Sequence, residues 1–324
     1  MPTNYHLAFW NVENLFDIEN APPERRSDKV ARAIKKDIKG WTQARLDRKI
    51  AQLSSIIRQM NGGRGPDLLG VCEVENRFVL DLLVGALAPL GRPYLVIHQD
   101  TNDQRGIDVA FIYDGSLFQV EAVFDHVVMR RTATRDIVQV NFMTAGNRRF
   151  VVVGNHWPSR SGGGPLESAA YRAIAGETLA YFHQRIWEVH GKDTPVLAMG
   201  DFNDEPFDRS LVNYALALRS PAKVLNGTNP YFHNLMWPLM GQGFGSFYFD
   251  NLPNLLDQFL ADKNMVKKSG AIRALPETVR VLAFPEMVRK GDYPAPRPFG
   301  GMGKPVDETG FSDHFPIEMA VSEA

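Results

Sequence analysis

The chain has 324 residues, 44% hydrophobic and 23% charged, a globular balance that excludes a disordered or collagen-like polymer. A chain of this length buries on the order of 75% of its unfolded surface. Its single cysteine, Cys72, excludes an internal disulfide framework and a cysteine-built zinc site. Thirty-six basic residues against 37 acidic ones leave a net charge of −1, without the basic excess that drives non-specific nucleic-acid binding.

No basic segment followed by an apolar one opens the chain, so no signal peptide is expected, and no run of about 18 apolar residues predicts a membrane-spanning helix. A cytoplasmic protein is the expectation. The first predicted strand covers residues 6–11, and its apolar content continues in further runs at 68–73, 109–113, 150–156, 196–201, 255–261 and 315–321. Runs so rich in Val, Ile, Leu and Phe predict strands buried on both faces. Leu46, Ile50, Leu53, Ile57 and Met60 recur at steps of four and three and predict a helix, as do Tyr171, Ala175, Leu179, Phe182 and Ile186. Gly62-Gly63 and residues 161–164 read as loops. Strands alternating with such helices predict an α/β or α+β protein with helices covering sheets. The Pro- and Gly-rich stretch 285–310 reads either as a surface wrap or as a substrate-facing lid. The basic pairs, Arg25-Arg26 among them, read as solvated surface.

The predicted strands repeatedly end in polar side chains: Asn11 and Glu13, Glu73, Asn155 and His156, Asp201 and Asn203, Asp257, and Asp313 with His314. Strand ends are where α/β folds gather their chemistry. A polar group beside a core strand needs a partner, so these groups are expected to partner one another or to share a metal. Carboxylates, amides and imidazoles without a cysteine cluster favour Mg²⁺, Mn²⁺ or Ca²⁺ over zinc. With a His–Asp pair they supply the parts for metal-assisted attack of water on a phosphoester. No GxSxG elbow, Walker A motif or GxGxxG turn supports a serine hydrolase or a nucleotide-dependent enzyme.

In order along the chain, FWNVENLFD (from Phe9), LLGVCEVEN (from Leu68), RGIDVAFIY (from Arg105), GNHWPSR (from Gly154), GDFNDEP (from Gly200), LLDQFL (from Leu255) and SDHFPI (from Ser312) resemble the motifs of the endonuclease/exonuclease/phosphatase superfamily. Each is weak alone; all seven in family order are not. The nearest look-alikes are bacterial members without an assigned substrate. The resemblance implies a single domain over residues 1–324, folded as a four-layer α/β sandwich of two packed mixed β-sheets flanked by helices. It implies that Glu73 is the principal metal ligand, with Asp313 as a further metal-side carboxylate and Asn11 positioning metal or phosphate. His314 matches the catalytic imidazole and Asp257 the carboxylate that orients it. Asp201 and Asn203 match the pair that positions the attacking water and binds phosphate, and His156 a second imidazole on a phosphate oxygen.

Arg160 is expected to reach a second phosphate of the substrate. Asp108 either orients His156 or makes a structural hydrogen bond. Glu13 reads as a surface group or as one lying behind the site, and Trp10, Trp41 and Trp157 as packing rather than base-stacking residues. The expected function is a Mg²⁺-dependent (or Mn²⁺- or Ca²⁺-dependent) phosphodiesterase acting on nucleic acid, DNA before RNA, without an obligate protein partner. A phosphomonoesterase or lipid-headgroup phosphodiesterase on the same core is the alternative. A non-catalytic binding module is a further one, which would have lost several of these residues.

Overall fold

Strands that are apolar at nearly every position must be covered on both faces, and the fold meets that demand. The computed structural model describes residues 3–324 apart from 102, 104, 132, 161–164, 292 and 302–303, so the loop expected at 161–164 lies outside the described residues. In chain order the strands are β1 (Thr3–Leu15), β2 (Leu68–Val74), β3 (Tyr94–His98), β4 (Asp108–Asp114), β5 (Phe118–His126), β6 (Ile137–Thr144), β7 (Arg149–His156), β8 (Val196–Asp201), β9 (Ala217–Leu218), β10 (Phe232–Asn234), β11 (Phe247–Phe249), β12 (Leu252–Asn254), β13 (Asp257–Asp262), β14 (Ile272–Val281) and β15 (Ile317–Glu323). One sheet runs β14-β15-β1-β2-β4-β3, the other β5-β6-β7-β8-β13-β10-β9, and β11-β12 is a separate hairpin. Both large sheets mix parallel and antiparallel pairs.

Alternation along each strand divides the core. Tyr5, Leu7 and Phe9 of β1 point between the sheets with Phe150 and Val152 of β7 and Leu197 and Met199 of β8. Ala8, Trp10 and Val12 point the other way, against Leu46, Leu53 and Ile57 of the helix Gln43–Ile57 and Leu80 and Leu83 of the helix Arg77–Ala86. On the far side Val151, Val153, Val196 and Ala198 meet Ala175, Leu179 and Ile186 of the helix Pro165–His190. Helices, sheet, sheet and helix therefore stack in that order, and both expected helical stripes face a sheet. The Gln43–Ile57 helix begins at Thr42, whose hydroxyl accepts from the Arg45 amide, a cap worth roughly 1 kcal/mol. It ends before Met60, which falls in the next turn. Among the described residues no helix is long and apolar enough to cross a membrane.

Eight of these strands, β3, β5, β6, β9, β10, β11, β12 and β14, are not among the predicted ones. In β6 the reason is physical. Gln139 and Asn141 break the apolar run, yet both are buried, because Gln139 bridges the His126 ring at 2.8 Å and Asn141 at 2.8 Å, and Asn141 reaches His190 at 3.0 Å. Arg26 corrects the surface reading of its basic pair: it is buried and grips Glu75 through Nε and Nη2, at 2.5 and 2.8 Å.

His183 gives the fold a sensitivity to acid. It is fully buried in the helix Pro165–His190, its ring 4.0 Å from that of Phe232, and burial pushes its pKa down to about 3. In the unfolded chain the same imidazole titrates near 6.5. The stability held by the neutral ring is thus complete above pH 6.5 and lost as pH falls toward 3, at up to about 1.4 kcal/mol per pH unit. Urea unfolding at pH 7.5 and pH 5.0 reads the His183 contribution as the difference between the wild type and a variant. A His183→Leu variant should lose less by about 1–2 kcal/mol; equal losses in the two proteins would remove His183 from this account.

Candidate functional site

Strand register gathers the polar residues at one end of the sandwich. In the second sheet His156 pairs with Asp201 across β7 and β8, and Asp201 pairs with Asp257 across β8 and β13. The three side chains thus stem from neighbouring strand positions, with strands spaced about 4.8 Å apart. Gly200 makes the close pairing possible: a Cβ there would lie 2.2 Å from the carbonyl oxygen of Asn155. In the first sheet Asn11 of β1 pairs with Cys72 of β2, which places Glu73 beside it. The approach to β15 supplies Asp313 and His314, and the Ser312 hydroxyl donates to the Asn11 carbonyl at 2.6 Å.

The two sheets meet through these side chains. Asn11 Nδ2 donates to Asp201 Oδ2 at 3.1 Å and approaches Glu73 Oε1 at 3.4 Å. His156 Nε2 lies 3.8 Å from both Glu73 Oε1 and Asp201 Oδ2. His314 Nδ1 is 2.7 Å from Asp257 Oδ2, while its Nε2 is 3.9 Å from Asp201 Oδ2. The Asn203 amide donates to Asp201 Oδ1 at 2.9 Å, and Asn203 Nδ2 donates to the Trp157 carbonyl at 3.0 Å. Glu73 and Asp313 keep some contact with solvent; Asp201, Asp257 and His314 are buried. Of the nine expected site residues, eight converge here.

The ninth, Arg160, is engaged by the neighbouring loop. Its guanidinium donates to the Asn203 carbonyl at 2.8 Å and to Asp208 at 2.7 Å, and it pairs with Asp204 at 3.1 Å. Those bonds tie it to the loop that carries Asn203. Asp108 engages His98 at 3.1 Å and the Thr101 hydroxyl at 2.6 Å, which is the structural-bond alternative. Trp10, Trp41 and Trp157 are fully buried, as packing residues are.

Backbone strain marks the same place. Glu13, Asn14, Glu73 and Asn203 all adopt left-handed conformations, with φ of 47°, 59°, 64° and 52°. A left-handed glutamate costs roughly 1–2 kcal/mol, and such residues persist where the surroundings force them, often at functional sites. Glu13 and Asn14 sit in a bulge of β1, and the Asn14 amide donates to Glu73 Oε2 at 3.1 Å.

The electrostatics separate the two imidazoles. Burial drives the His156 pKa well below its ordinary value, and Arg135, Arg105 and His314 push the same way, so this ring is neutral. Burial also opposes the charge on His314, but the carboxylates of Asp257, Asp201 and Asp313 outweigh it and hold its pKa well above the ordinary value. Asp201 is pushed up to about 7, chiefly by burial, with Asp257 adding to the rise and His314 opposing it.

Behind these residues lies a second layer, of which sequence reasoning offered only Glu13, as one of two readings. Lys49 is fully buried, donates to the Phe311 carbonyl at 2.7 Å and lies 4.7 Å from the Phe299 ring. Glu13 is buried too, and its Oε2 accepts from the Phe299 amide at 2.7 Å. Lys304 reaches Asp313 Oδ2 at 3.1 Å. Phe299 and Lys304 of the segment 285–310 therefore lie beside the site. Lys49 carried a signal: a lysine within the apolar stripe of its helix. Lys304 carried none.

The donor set suits a hard divalent cation. One ligand atom each of Asp201, Asp257 and His314 lies within 4.8 Å of the others, and Asp257 Oδ1 is buried without a hydrogen-bond partner. The 2.7 Å Asp257–His314 contact is a hydrogen bond, so the open carboxylates Glu73 and Asp313 are better placed to face an ion. Both of them act electrostatically on Lys49 and on Lys304.

The sequence pattern of the endonuclease/exonuclease/phosphatase family matches residues 6–323. Among solved structures the chain is similar to a mannosyl-6-phosphatase from Bacteroides thetaiotaomicron (15% identity, TM-score 0.56, covering 98% of this chain and 99% of the other). It is similar to the human Nocturnin catalytic domain with bound sulfate (14%, 0.56, covering 99% and 95%). It is also similar to truncated TDP2 from Caenorhabditis elegans (14%, 0.58, covering 99% and 98%). None of the curated proteins matches the sequence. Identities this low establish the fold alone.

Proposed function

Because the chain belongs to the endonuclease/exonuclease/phosphatase family, whose members hydrolyse phosphoester bonds with divalent metals, we propose that it is a Mg²⁺-dependent phosphodiesterase acting on nucleic acid, DNA before RNA. The observation that carries the reading is the convergence of Asn11, Glu73, His156, Asp201, Asn203, Asp257, Asp313 and His314 on one volume at the end of the sandwich. A binding module would have no need to hold so many groups, the left-handed Glu73 and Asn203 among them, against their intrinsic preferences. Glu73 and Asp313 would hold the cation, which would supply charge neutralisation at the phosphate.

The chain's own residues divide the remaining work. Asp201, with a pKa near neutrality, takes a proton from the attacking water, which forms a P–O bond in line with the one that breaks. His314, kept protonated by Asp257, donates toward the phosphoryl group or the departing oxygen. Neutral His156, with Asn203 and Asn11, donates hydrogen bonds to non-bridging oxygens as charge builds there.

A panel of supercoiled plasmid, single-stranded DNA, abasic duplex, RNA, inositol phosphates, sugar phosphates and sphingomyelin, run with Mg²⁺, Mn²⁺ and chelator, tests this. Cleavage of a nucleic acid that stops in chelator is the expected result; hydrolysis confined to phosphomonoesters or lipid would overturn the substrate assignment. The balanced surface charge is the one feature that favours a smaller substrate.

Arg160 acts as a positioning residue in this scheme. Its partners lie in the 203–208 loop and it is about one-third exposed, so Arg160→Ala should cost about 1 kcal/mol of stability. Turnover should fall roughly tenfold as Asn203 loses its fixed position. The fall should be the same for substrates with one phosphate and with two. A loss confined to the two-phosphate substrate would restore direct phosphate binding by Arg160.

A further inference from the structure

The hairpin β11-β12 is fastened to the catalytic centre at its base and apolar beside its turn. Phe247 forms an antiparallel bridge with His314, and their rings lie 4.8 Å apart. The Ser246 carbonyl accepts from the Phe315 amide at 2.7 Å, and the Ser246 hydroxyl accepts from the Asp257 amide at 3.1 Å. On the other strand Asn254 Nδ2 donates to Glu205 at 2.6 Å. The turn residues Asp250 and Asn251 are both left-handed, with φ of 49° and 63°, as a tight two-residue hairpin requires.

Alternation decides where the tip points. Tyr248 packs edge-on against Phe315 on one face, so Phe247 and Phe249 share the other face, the one that carries the His314 ring. Phe249 stands two residues, about 7 Å, further out than Phe247. Leu252 is its cross-strand partner on the same face. Phe249 is 71% exposed, Leu252 67% and nearby Phe244 55%, large apolar groups left in water beside a polar catalytic centre. Such edges are normally blunted with charge.

We propose that Phe249 and Leu252 form the specificity surface of this centre, receiving a flat ring carried by one of the ester groups on the scissile phosphate, as a nucleobase is. A ring edge and an aliphatic side chain on one rigid strand pair offer a stacking face to any base without reading its sequence. A lipid surface fits less well, because the acid Asp250 sits at the tip and the chain carries no net positive charge to draw it to anionic headgroups. The proposal deepens the phosphodiesterase reading and rests on it for the substrate.

The test compares kcat/KM for thymidine 5′-(p-nitrophenyl) phosphate and for methyl p-nitrophenyl phosphate, which share a leaving group. The wild type should prefer the thymidine diester, and Phe249→Ser/Leu252→Ser should reduce that preference about tenfold. Val189→Ser, an exposed apolar residue on the Pro165–His190 helix, should leave it unchanged. An unaltered preference in the double variant overturns the proposal, as does binding to phosphatidylcholine vesicles that the double variant abolishes. If the wild type hydrolyses neither diester, it is the catalytic reading that fails. The hairpin is then judged by quenching of 2-aminopurine riboside 5′-monophosphate fluorescence, expected with the wild type and lost in the double variant. Equal quenching by both proteins would overturn the assignment.

Discussion

Asp257→Asn should lower kcat on any phosphodiester the protein hydrolyses by about 10³- to 10⁴-fold, with little change in KM or in melting temperature. The substitution keeps the shape of a fully buried side chain, so packing against its neighbours survives. What it removes is the charge 2.7 Å from His314 Nδ1. Burial alone would push the His314 imidazole below its ordinary pKa, and Asp257 leads the carboxylates that reverse this. An asparagine in its place offers an amide that can donate to Nδ1 and so favours the wrong tautomer. The sign follows: in the variant His314 is neutral through the range where the wild-type ring is protonated. Imidazole ¹⁵N spectra recorded between pH 5.5 and pH 9 should show the wild-type His314 titrating above 6.5 and the variant ring neutral throughout. A variant that retains its kcat, or a His314 that titrates identically in both proteins, removes the dyad from the reaction.

How much of this was legible in the sequence depends on what carried the signal. The sheet-forming runs 150–156 and 196–201 were visible because both faces of β7 and β8 are apolar, facing the opposite sheet on one side and the Pro165–His190 helix on the other. The convergence of Asp201, Asp257 and His314 was only implied, since nothing local relates residue 201 to residue 314; the β8-β13 register sets Asp201 beside Asp257, and Asp257 in turn meets His314. Strand β6 was hidden because its buried Gln139 and Asn141 are satisfied by side chains distant in sequence. The partners of Arg160 were hidden for a related reason. A guanidinium after an imidazole suits an oxyanion, and only the fold shows two carboxylates and a carbonyl already around it. The left-handed backbone at Glu73 was also invisible, because glutamate gives no hint of positive φ as glycine or asparagine would.

Glu73→Gln should weaken binding of Mn²⁺ by about 100-fold or more in calorimetric titration, and lower activity by about 10³-fold at a fixed Mg²⁺ concentration. The argument starts from the backbone. Holding a glutamate at φ 64° costs stability, and the bulge beside it commits the Asn14 amide to Glu73 Oε2, so the side chain has one fixed direction. Its other oxygen faces Asn11 Nδ2 at 3.4 Å and His156 Nε2 at 3.8 Å, longer than a strong hydrogen bond to either. A carboxylate so positioned, open to solvent on one side, has room for an ion that neither neighbour supplies. Glutamine preserves the bond from Asn14 but offers no charge, so the melting temperature should stay within a degree or two of the wild type while the cation is lost. Asp313→Asn should be milder, because Lys304 already balances that carboxylate at 3.1 Å, and its removal takes away less net attraction for a cation. The order Glu73 before Asp313 in metal affinity is therefore a direct consequence of where the lysine sits. Equal Mn²⁺ binding by the wild type and Glu73→Gln would mean that the cation is held elsewhere, with the buried Asp201–Asp257–His314 group the next place to look.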